Sequence, residues 1–167
     1  MSIFDGIESA KATQNTAYLK EGTYWVLIQE LKEGKSRKNV PFFSAEGDVV
    51  RVVDGGSGPT DNHRVGDAVN EFRSSSNDFF HSDVKRTLSA ITGEATSAIT
   101  PDFCDLMVGE TQPAKGFVVE YSITTEPQKK DPEKTFTRVT CKRRIEKAEL
   151  EGKVPDNFVS QLSPYYA

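Results

Sequence analysis

Alternating and clustered apolar residues predict three β-strands in the first half of the chain. The segment over residues 22–31 begins with β-branched and aromatic residues on both faces, which indicates a strand with at least one face in a core. A second strand is predicted over residues 42–53, with a bend at Gly47, because a glycine within a strand often marks a bulge. A third covers residues 68–73. Turn-forming residues separate these segments, so we expect three sequential antiparallel strands.

The apolar period then changes to that of a helix. Four residues share one helical face: Phe80, Val84, Leu88 and Ile91. Ser76 or Asn77 is expected to cap the start of this helix, and Gly93 to end it. A shorter helix is expected to begin at the Thr100-Pro101 pair, where a capping hydroxyl precedes a proline suited to the first helical position, and to end at Gly109.

Two further strands are predicted over residues 116–125 and 136–145. In the last one, alternation places Val139, Cys141 and Ile145 on a core face. The opposite face of that strand is then basic and carries Arg138, Lys142 and Arg144. The final pair of strands therefore adds a row of cations to the predicted sheet.

The order of three strands, a helical connection and two strands is that of the oligonucleotide/oligosaccharide-binding (OB) fold. We therefore expect a mainly β protein, a five-stranded OB-fold Greek-key barrel with a helical insertion between strands 3 and 4. A generic α+β sandwich is the alternative. The predicted domain organisation is an N-terminal arm over residues 1–20, an OB-fold domain over residues 21–150 and a C-terminal tail over residues 151–167.

Length and charge limit the classes of function. At 167 residues the chain can bury one hydrophobic core without disulfides or metals. It carries 21 basic and 25 acidic side chains, and this net charge of -4 argues against a generic polyanion-binding domain. The acidic excess lies within residues 1–110, whereas residues 111–167 have ten basic and eight acidic side chains. This distribution is compatible with a basic groove on an acidic body.

The sequence also argues against membrane and secreted classes. It has no apolar run near the ~20 residues of a membrane-spanning helix, and it does not begin with the charged and apolar regions of a secretory signal. Cys104 and Cys141 are far apart, which suits reduced, buried thiols better than a disulfide framework. We therefore expect a cytoplasmic protein.

The sequence contains no complete motif for catalysis or metal binding. The segment Gly34-Lys35-Ser36 ends like a phosphate-binding loop, but Gln29 stands where that motif requires a glycine. His63 and His81 have no nucleophile at a recognisable spacing, so we interpret them as a solvent-exposed turn histidine and a helix-surface histidine. We expect no enzyme, cofactor or metal. The enzymatic alternative is a small Mg²⁺-dependent nuclease that uses Glu46, Asp48 and Asp54.

Basic and aromatic residues form the strongest constellation. The loop between the first two strands holds Lys35, Arg37 and Lys38, directly before Phe42 and Phe43. Further candidates are Trp25 on the first strand, Lys129 and Lys130 between the last two strands, and Arg138, Lys142 and Arg144 on the last strand. In an OB barrel these two loops and the strand 2–3 face line the nucleic-acid groove, where cations follow phosphates and rings stack on bases. For the tryptophan and the second phenylalanine, core packing is the alternative to stacking.

Several stretches of the chain point together to a known family. They are Glu21-Gly22-Thr23-Tyr24-Trp25-Val26, then Lys35-Ser36-Arg37-Lys38-Asn39-Val40-Pro41-Phe42-Phe43, and then His63-Arg64-Val65-Gly66-Asp67. With a central helix opened by Asp83-Val84-Lys85-Arg86-Thr87-Leu88 and closed by Thr92-Gly93, they resemble single-stranded DNA-binding proteins of tailed bacteriophages. Those proteins have OB folds and act in replication or recombination. The resemblance covers about residues 20–93.

The resemblance implies roles for the residues in these stretches. Lys35, Arg37 and Lys38 would contact phosphates, and the aromatic residues Trp25, Phe42 and Phe43 would stack on bases or pack in the barrel. Many single-strand binders end in an acidic tail that recruits partners. This chain ends in residues 161–167 without an acid, so recruitment through such a tail is not expected.

We therefore expect a protein that coats and protects single-stranded DNA, largely without sequence preference, during phage replication or recombination. Its partners are then single-stranded DNA and phage replication or recombination proteins. The alternatives are a virion or protein-interaction module that uses the same barrel, and the nuclease described above. A polysaccharide or small-ligand binder ranks after these. The sequence leaves open whether the chain forms a homo-oligomer and whether it prefers DNA or RNA.

Overall fold

Five strands pair side by side in one antiparallel sheet. The computed structural model describes residues 19–55 and 62–167, so most of the predicted N-terminal arm lies outside the described residues. The strands are β1 (Gly22–Lys35), β2 (Pro41–Asp54), β3 (Ala68–Ser74), β4 (Val118–Pro127) and β5 (Thr135–Arg144). Their order is β3-β2-β1-β4-β5, and each neighbouring pair is antiparallel. This confirms the mainly β class and the five strands; among the described residues the sheet is open, with β3 and β5 as its edges.

Helices fill the connection between β3 and β4 and follow β5. Before β4 they are α1 (Phe80–Thr92), a 3₁₀ turn (Thr96–Ala98) and α2 (Pro101–Val108). After β5 they are α3 (Lys147–Leu150), α4 (Asp156–Val159) and a 3₁₀ turn (Pro164–Tyr166). The predicted helical insertion between strands 3 and 4 is thereby confirmed.

Local signals set most ends of the two longer helices. Gly93 ends α1 in left-handed backbone with φ of 75°, as predicted. The Thr100 hydroxyl accepts a backbone N–H at the start of α2, which confirms the predicted cap. The predicted cap at Ser76 or Asn77 is wrong, because α1 begins only at Phe80. The Asn77 side chain instead accepts a backbone N–H within the turn that precedes the helix.

Both faces of the sheet pack against other parts of the chain. On the inner face, α1 and α2 cover a core that includes Val26, Leu31, Leu88, Ile91, Met107, Val119, Tyr121, Ile123 and Cys141. On the outer face, the segment after β5 covers Trp25, Leu27, Val50 and Val118 with Leu150, Phe158 and Tyr166. The predicted C-terminal tail is therefore part of the second core. Both cysteines are free thiols; Cys141 is buried as predicted and Cys104 is half-buried.

The inner core contains a charged group. The Glu71 side chain is 1% exposed, and three side chains satisfy its carboxylate. Arg73 Nε lies 2.8 Å from Oε2, Thr87 Oγ1 donates to Oε2 over 2.7 Å, and the Tyr121 hydroxyl donates to Oε1 over 2.8 Å. Arg73 also donates to the backbone oxygen of Val139 over 2.5 Å. These bonds connect β3 to α1, β4 and β5.

A one-residue bulge in β5 changes which residues share a face. Cys141 and Arg143 oppose consecutive residues of β4, so Lys142 is an extra residue in the ladder. The prediction that Ile145 shares a face with Cys141 is therefore wrong. Cys141 lies in the inner core, whereas Ile145 lies in the outer core. An extra residue shifts a period of two by one step, and this exchanges the faces.

The predicted solvent exposure of His63 is wrong. The side chain is 3% exposed, and its ring stands edge-on to Tyr24 with 5.2 Å between centroids. Its Nε2 accepts the backbone N–H of Lys20 over 3.1 Å, and its Nδ1 lies 3.4 Å from Asp67 Oδ2. Since Nε2 acts as an acceptor, the ring is neutral and carries its proton on Nδ1. His81 is exposed on α1, as predicted.

Removal of the buried carboxylate is expected to weaken the fold strongly. Glu71→Ala leaves two buried hydroxyls without their acceptor and takes the buried carboxylate away from Arg73, and loss of one partner of a buried ion pair costs about 3–5 kcal/mol. Urea denaturation of the variant and the wild-type chain measures this difference. Glu126→Gln is the control, because Glu126 pairs with Arg138 at the surface over 3.1 Å; such pairs contribute about 0–1 kcal/mol. Equal losses in both variants would contradict the structural role of Glu71.

His63 is expected to make the fold sensitive to mild acid. Burial lowers the pKa of His63 below its usual value, although Asp67 acts in the opposite direction. The folded chain then binds fewer protons than the unfolded chain, so this contribution to stability is present above about pH 6.5 and is lost as the pH falls towards the folded-state pKa. His63→Gln keeps an acceptor and removes the titration, so its stability should fall less between neutral and mildly acidic pH in urea denaturation. His81→Gln should behave like the wild type.

Candidate nucleic-acid interface

Two phenylalanine rings lie together on the outer face of the sheet. β2 and β3 pair without a bulge, so alternate residues of each strand follow one another along this face. Phe42 and Phe72 have ring centroids 5.1 Å apart and planes tilted by 34°. Phe72 is 50% exposed and Phe42 is half-buried. The pair therefore offers open aromatic surface on which a flat ligand can stack.

The missing side chain of Gly34 makes room for this pair. Gly34 on β1 is the partner of Phe42 on β2. A Cβ at position 34 would lie 2.9 Å from Cζ of the Phe42 ring, which is closer than real contacts of this kind. Gly34 directly precedes Lys35, so the basic hairpin loop begins next to the ring. The sequence thus joins an aromatic platform to a group of cations within one hairpin.

A tight turn presents the cations of the β1–β2 hairpin. Asn39 donates its backbone N–H to Ser36 O over 2.8 Å, and Asn39 has left-handed backbone with φ of 62°. A turn closed by this bond and followed by a left-handed residue is the pattern of a common three-residue hairpin loop, and asparagine tolerates that conformation. Arg37 and Lys38 occupy the two central positions of the turn. Both side chains are exposed, as is that of Lys35.

Phe72 and Phe79 are absent from the residues that the sequence predicted for the interface. Alternation in the third strand puts Phe72 on the face opposite to Glu71 and Arg73, and a charged residue is normally expected to face the solvent. The structure reverses this, because the two charged residues pair inside and the ring lies outside. Phe79 is 68% exposed immediately before α1. Phe79 is not one of the apolar residues that repeat along the buried face of α1 from Phe80 onwards. That break in the pattern is the sequence feature that could have predicted its exposure.

Trp25 and Phe43 pack in the two cores, which confirms the core alternative for both. Trp25 is 3% exposed in the outer core, and the cations of Arg51 and Lys153 lie 5.4 Å and 5.8 Å from its ring centroid. Phe43 is 4% exposed in the inner core. Since successive residues of a strand face opposite sides, Phe42 and Phe43 serve different surfaces.

Lys129 and Lys130 are exposed in the connection between β4 and β5. β1 and β4 run antiparallel, and Gly22 at the start of β1 pairs with Ile123 near the end of β4. The hairpin tip follows the other end of β1. Along the β1–β4 ladder the two loops follow opposite ends, but the bond from Arg73 to Val139 joins the hairpin end of β3 to the part of β5 that pairs with Ile123. The predicted convergence of the two basic loops therefore stays a prediction.

The three predicted cations of β5 do not share a face. Arg138 is exposed and lies 3.1 Å from Glu126 Oε2, and Lys142 is the exposed residue of the bulge. Arg144 turns to the inner face, where it donates to the backbone oxygen of Thr92 over 2.9 Å. Its guanidinium also lies 4.3 Å and 5.2 Å from the centroids of two aromatic rings. The predicted basic row is wrong, because the bulge at Lys142 exchanges the faces of the residues after it.

The acids of the nuclease alternative also lie apart. Asp48 pairs with Leu27, whereas Asp54 pairs with Thr23, so the two acids lie four β1 residues apart, about 13 Å along the ladder at ~3.3 Å per residue. Glu46 is bound by Lys32, whose Nζ lies 2.6 Å from Oε1. Within residues 19–55 and 62–167, no group of three His, Cys, Asp or Glu side chains is arranged to hold a metal ion. The alternative therefore loses its candidate metal site.

Comparisons with known proteins add no relative to this picture. No protein-family model matches the chain, and no curated protein matches it significantly. No helix in the described part of the chain has the length and apolar character needed to cross a membrane. The candidate interface therefore consists of the Phe42–Phe72 pair and the exposed cations Lys35, Arg37 and Lys38, and its function is argued from their geometry.

Proposed function

We propose that this chain binds single-stranded DNA on the outer face of β1, β2 and β3, largely without sequence preference. The observation that carries the proposal is the exposed Phe42–Phe72 pair beside the cationic turn of the same hairpin. Stacking suits every base because each base has a flat face, and cations that contact phosphates do not read sequence. The resemblance to phage proteins supports a role in protecting the strand during replication or recombination.

The strand order supports an OB fold for this protein. An OB domain is a five-stranded, partly open Greek-key barrel whose ligands bind on the face of strands 2 and 3. Here β3 and β5 form the two edges, and Arg73 on β3 donates to the backbone of Val139 on β5. A side chain thus bridges the strands that would close the barrel. The Phe42–Phe72 pair lies on β2 and β3, where an OB domain binds its ligand.

The local charge of the interface supports a polyanionic ligand. The three hairpin cations lie at an exposed tip, so phosphates reach them without desolvation of a core. The chain as a whole is acidic, with a net charge of -4. We therefore expect binding to depend on this tip and to weaken steeply with salt, because added salt reduces the gain from releasing the counterions of the DNA.

Loss of the hairpin cations is expected to flatten the salt dependence. For single strands the slope of log affinity against log salt is about -0.7 per neutralised phosphate, so Lys35→Ala, Arg37→Ala and Lys38→Ala together should reduce it by roughly 2. Fluorescence anisotropy of a labelled deoxythymidine oligomer at several salt concentrations measures the slope. A control matched in charge removes Arg64, Lys147 and Lys153, which are exposed cations outside the proposed interface, and should leave the slope unchanged. A wild-type chain that binds no oligomer at low salt would exclude the proposal and favour a protein-interaction module.

Loss of the aromatic pair is expected to weaken binding without a change in slope. Stacking contributes about 1–3 kcal/mol per base, so Phe72→Leu or Phe42→Leu should lower the affinity by roughly this amount at every salt concentration. Leucine keeps apolar bulk on the sheet, and thermal unfolding should confirm an intact fold. Phe136→Leu is the control, since Phe136 is 38% exposed on β5. Equal affinities of all three variants would show that bases do not stack on the Phe42–Phe72 pair.

A further inference from the structure

A polar groove lies next to the aromatic pair on the same outer face. Its volume is about 470 Å³, and its walls come from β1, β2 and β3. The side chains that give it hydrogen-bonding character are Gln29, Glu46, Asp48 and Asn70. Its floor is backbone at Gly47, where a Cβ would lie 2.4 Å from the backbone oxygen of Leu27. A side chain at position 47 would point to the inner face, against Val26, so Gly47 contributes only backbone to the groove.

The groove and the aromatic pair belong to one ladder. On β2 and β3, Phe72 pairs with Ser44, Glu46 with Asn70, and Asp48 with Ala68, without a register shift. Two residues along a strand advance by about 6.6–6.8 Å. Asn70 and Glu46 therefore lie one such step from Phe72, and Asp48 lies two steps away. A DNA strand that runs along β2 and β3 from a base stacked on the phenylalanine pair brings its next two nucleotides over the groove, and the second of them reaches Asp48.

The hydrogen bonds of the groove leave acceptors for a ligand. Glu46 is paired with Lys32. Asp48 Oδ2 accepts from Gln29 Nε2 over 3.0 Å, and the same nitrogen lies 2.8 Å from Gln161 Oε1. A carboxylate has about four lone-pair sites, so the bond from Gln29 uses a small part of the capacity of Asp48. Gln29 holds the carboxylate in place and leaves its remaining lone pairs for a donor.

We propose that Asp48 selects bases that carry an exocyclic amino group over the groove. A carboxylate accepts hydrogen bonds and repels phosphate, so in this position it suits the 4-amino group of cytosine. Uracil and thymine have an oxygen acceptor at the same position, which faces the carboxylate unfavourably. The inference rests on the proposed binding of single-stranded DNA and adds one position of base preference to it.

Two oligomers that differ only on one edge of the base test this selection. Labelled deoxycytidine and deoxyuridine oligomers of equal length differ in the 4-amino or 4-oxo group and in N3, which accepts a hydrogen bond in cytosine and carries a proton in uracil; near neutral pH both bases are uncharged. Anisotropy titrations should give the wild-type chain roughly tenfold tighter binding of deoxycytidine, the ratio expected for one well-made hydrogen bond. Asp48→Asn replaces an acceptor by an amide that can also donate, so the ratio should fall to about one.

The control variant is Glu126→Gln, which removes the same charge elsewhere on the surface and should keep the wild-type ratio. A wild-type ratio of one would overturn the inference while the binding itself still supports the proposed function. A preference that persists in Asp48→Asn would overturn the assignment to this residue. Failure of both oligomers to bind would overturn the proposed function on which the inference rests. Thermal unfolding should show that Asp48→Asn is folded, so that its affinity ratio for the two oligomers reflects the lost carboxylate.

Discussion

The buried carboxylate of Glu71 is the constraint on which the outer surface of this protein depends. Arg73, Thr87 and Tyr121 satisfy it inside the core, and this fixes β3 with its charged residues inward. Because side chains of a strand alternate between two faces, Phe72 between them must face outward. The exposed aromatic ring is therefore a consequence of buried polar bonding. A change that turned Glu71 outward would also bury the ring on which the proposed interface depends.

The second constraint is the division of the outer face. The segment after β5 covers the part of the sheet around Trp25 and Leu27, and the Tyr166 hydroxyl donates to Ile145 O over 2.7 Å at that position. The end of β2 and β3 near the hairpin has no such cover within the described residues, and Phe72 is half exposed there. Each Å² of apolar surface that this segment buries stabilises the fold by about 25 cal/mol. The uncovered part keeps its rings for a ligand.

Positive and negative side chains lie close together on the outer face. The hairpin tip has three exposed cations, whereas the adjacent groove has Glu46 and Asp48. At physiological salt, charges interact over about 8 Å, so the local arrangement governs contacts more than the net charge does. The phosphates of a nucleic acid bind to cations, whereas the amino groups on the edges of bases bind to hydrogen-bond acceptors such as carboxylates. The tip and the groove meet these two requirements separately within one face.

Local sequence signals determined the strands, the main helices, the ends at Gly93 and Thr100 and the cationic hairpin turn, because each depends on neighbours within a few residues. Alternation also predicted two faces for each strand. It did not determine which face of β3 is buried, since the partners of Glu71 lie on α1 and β4, far along the chain. The bulge at Lys142, the burial of His63 and the cover over Trp25 likewise depend on distant segments. Tertiary structure alone decided these features, because they arise from contacts that no local pattern encodes.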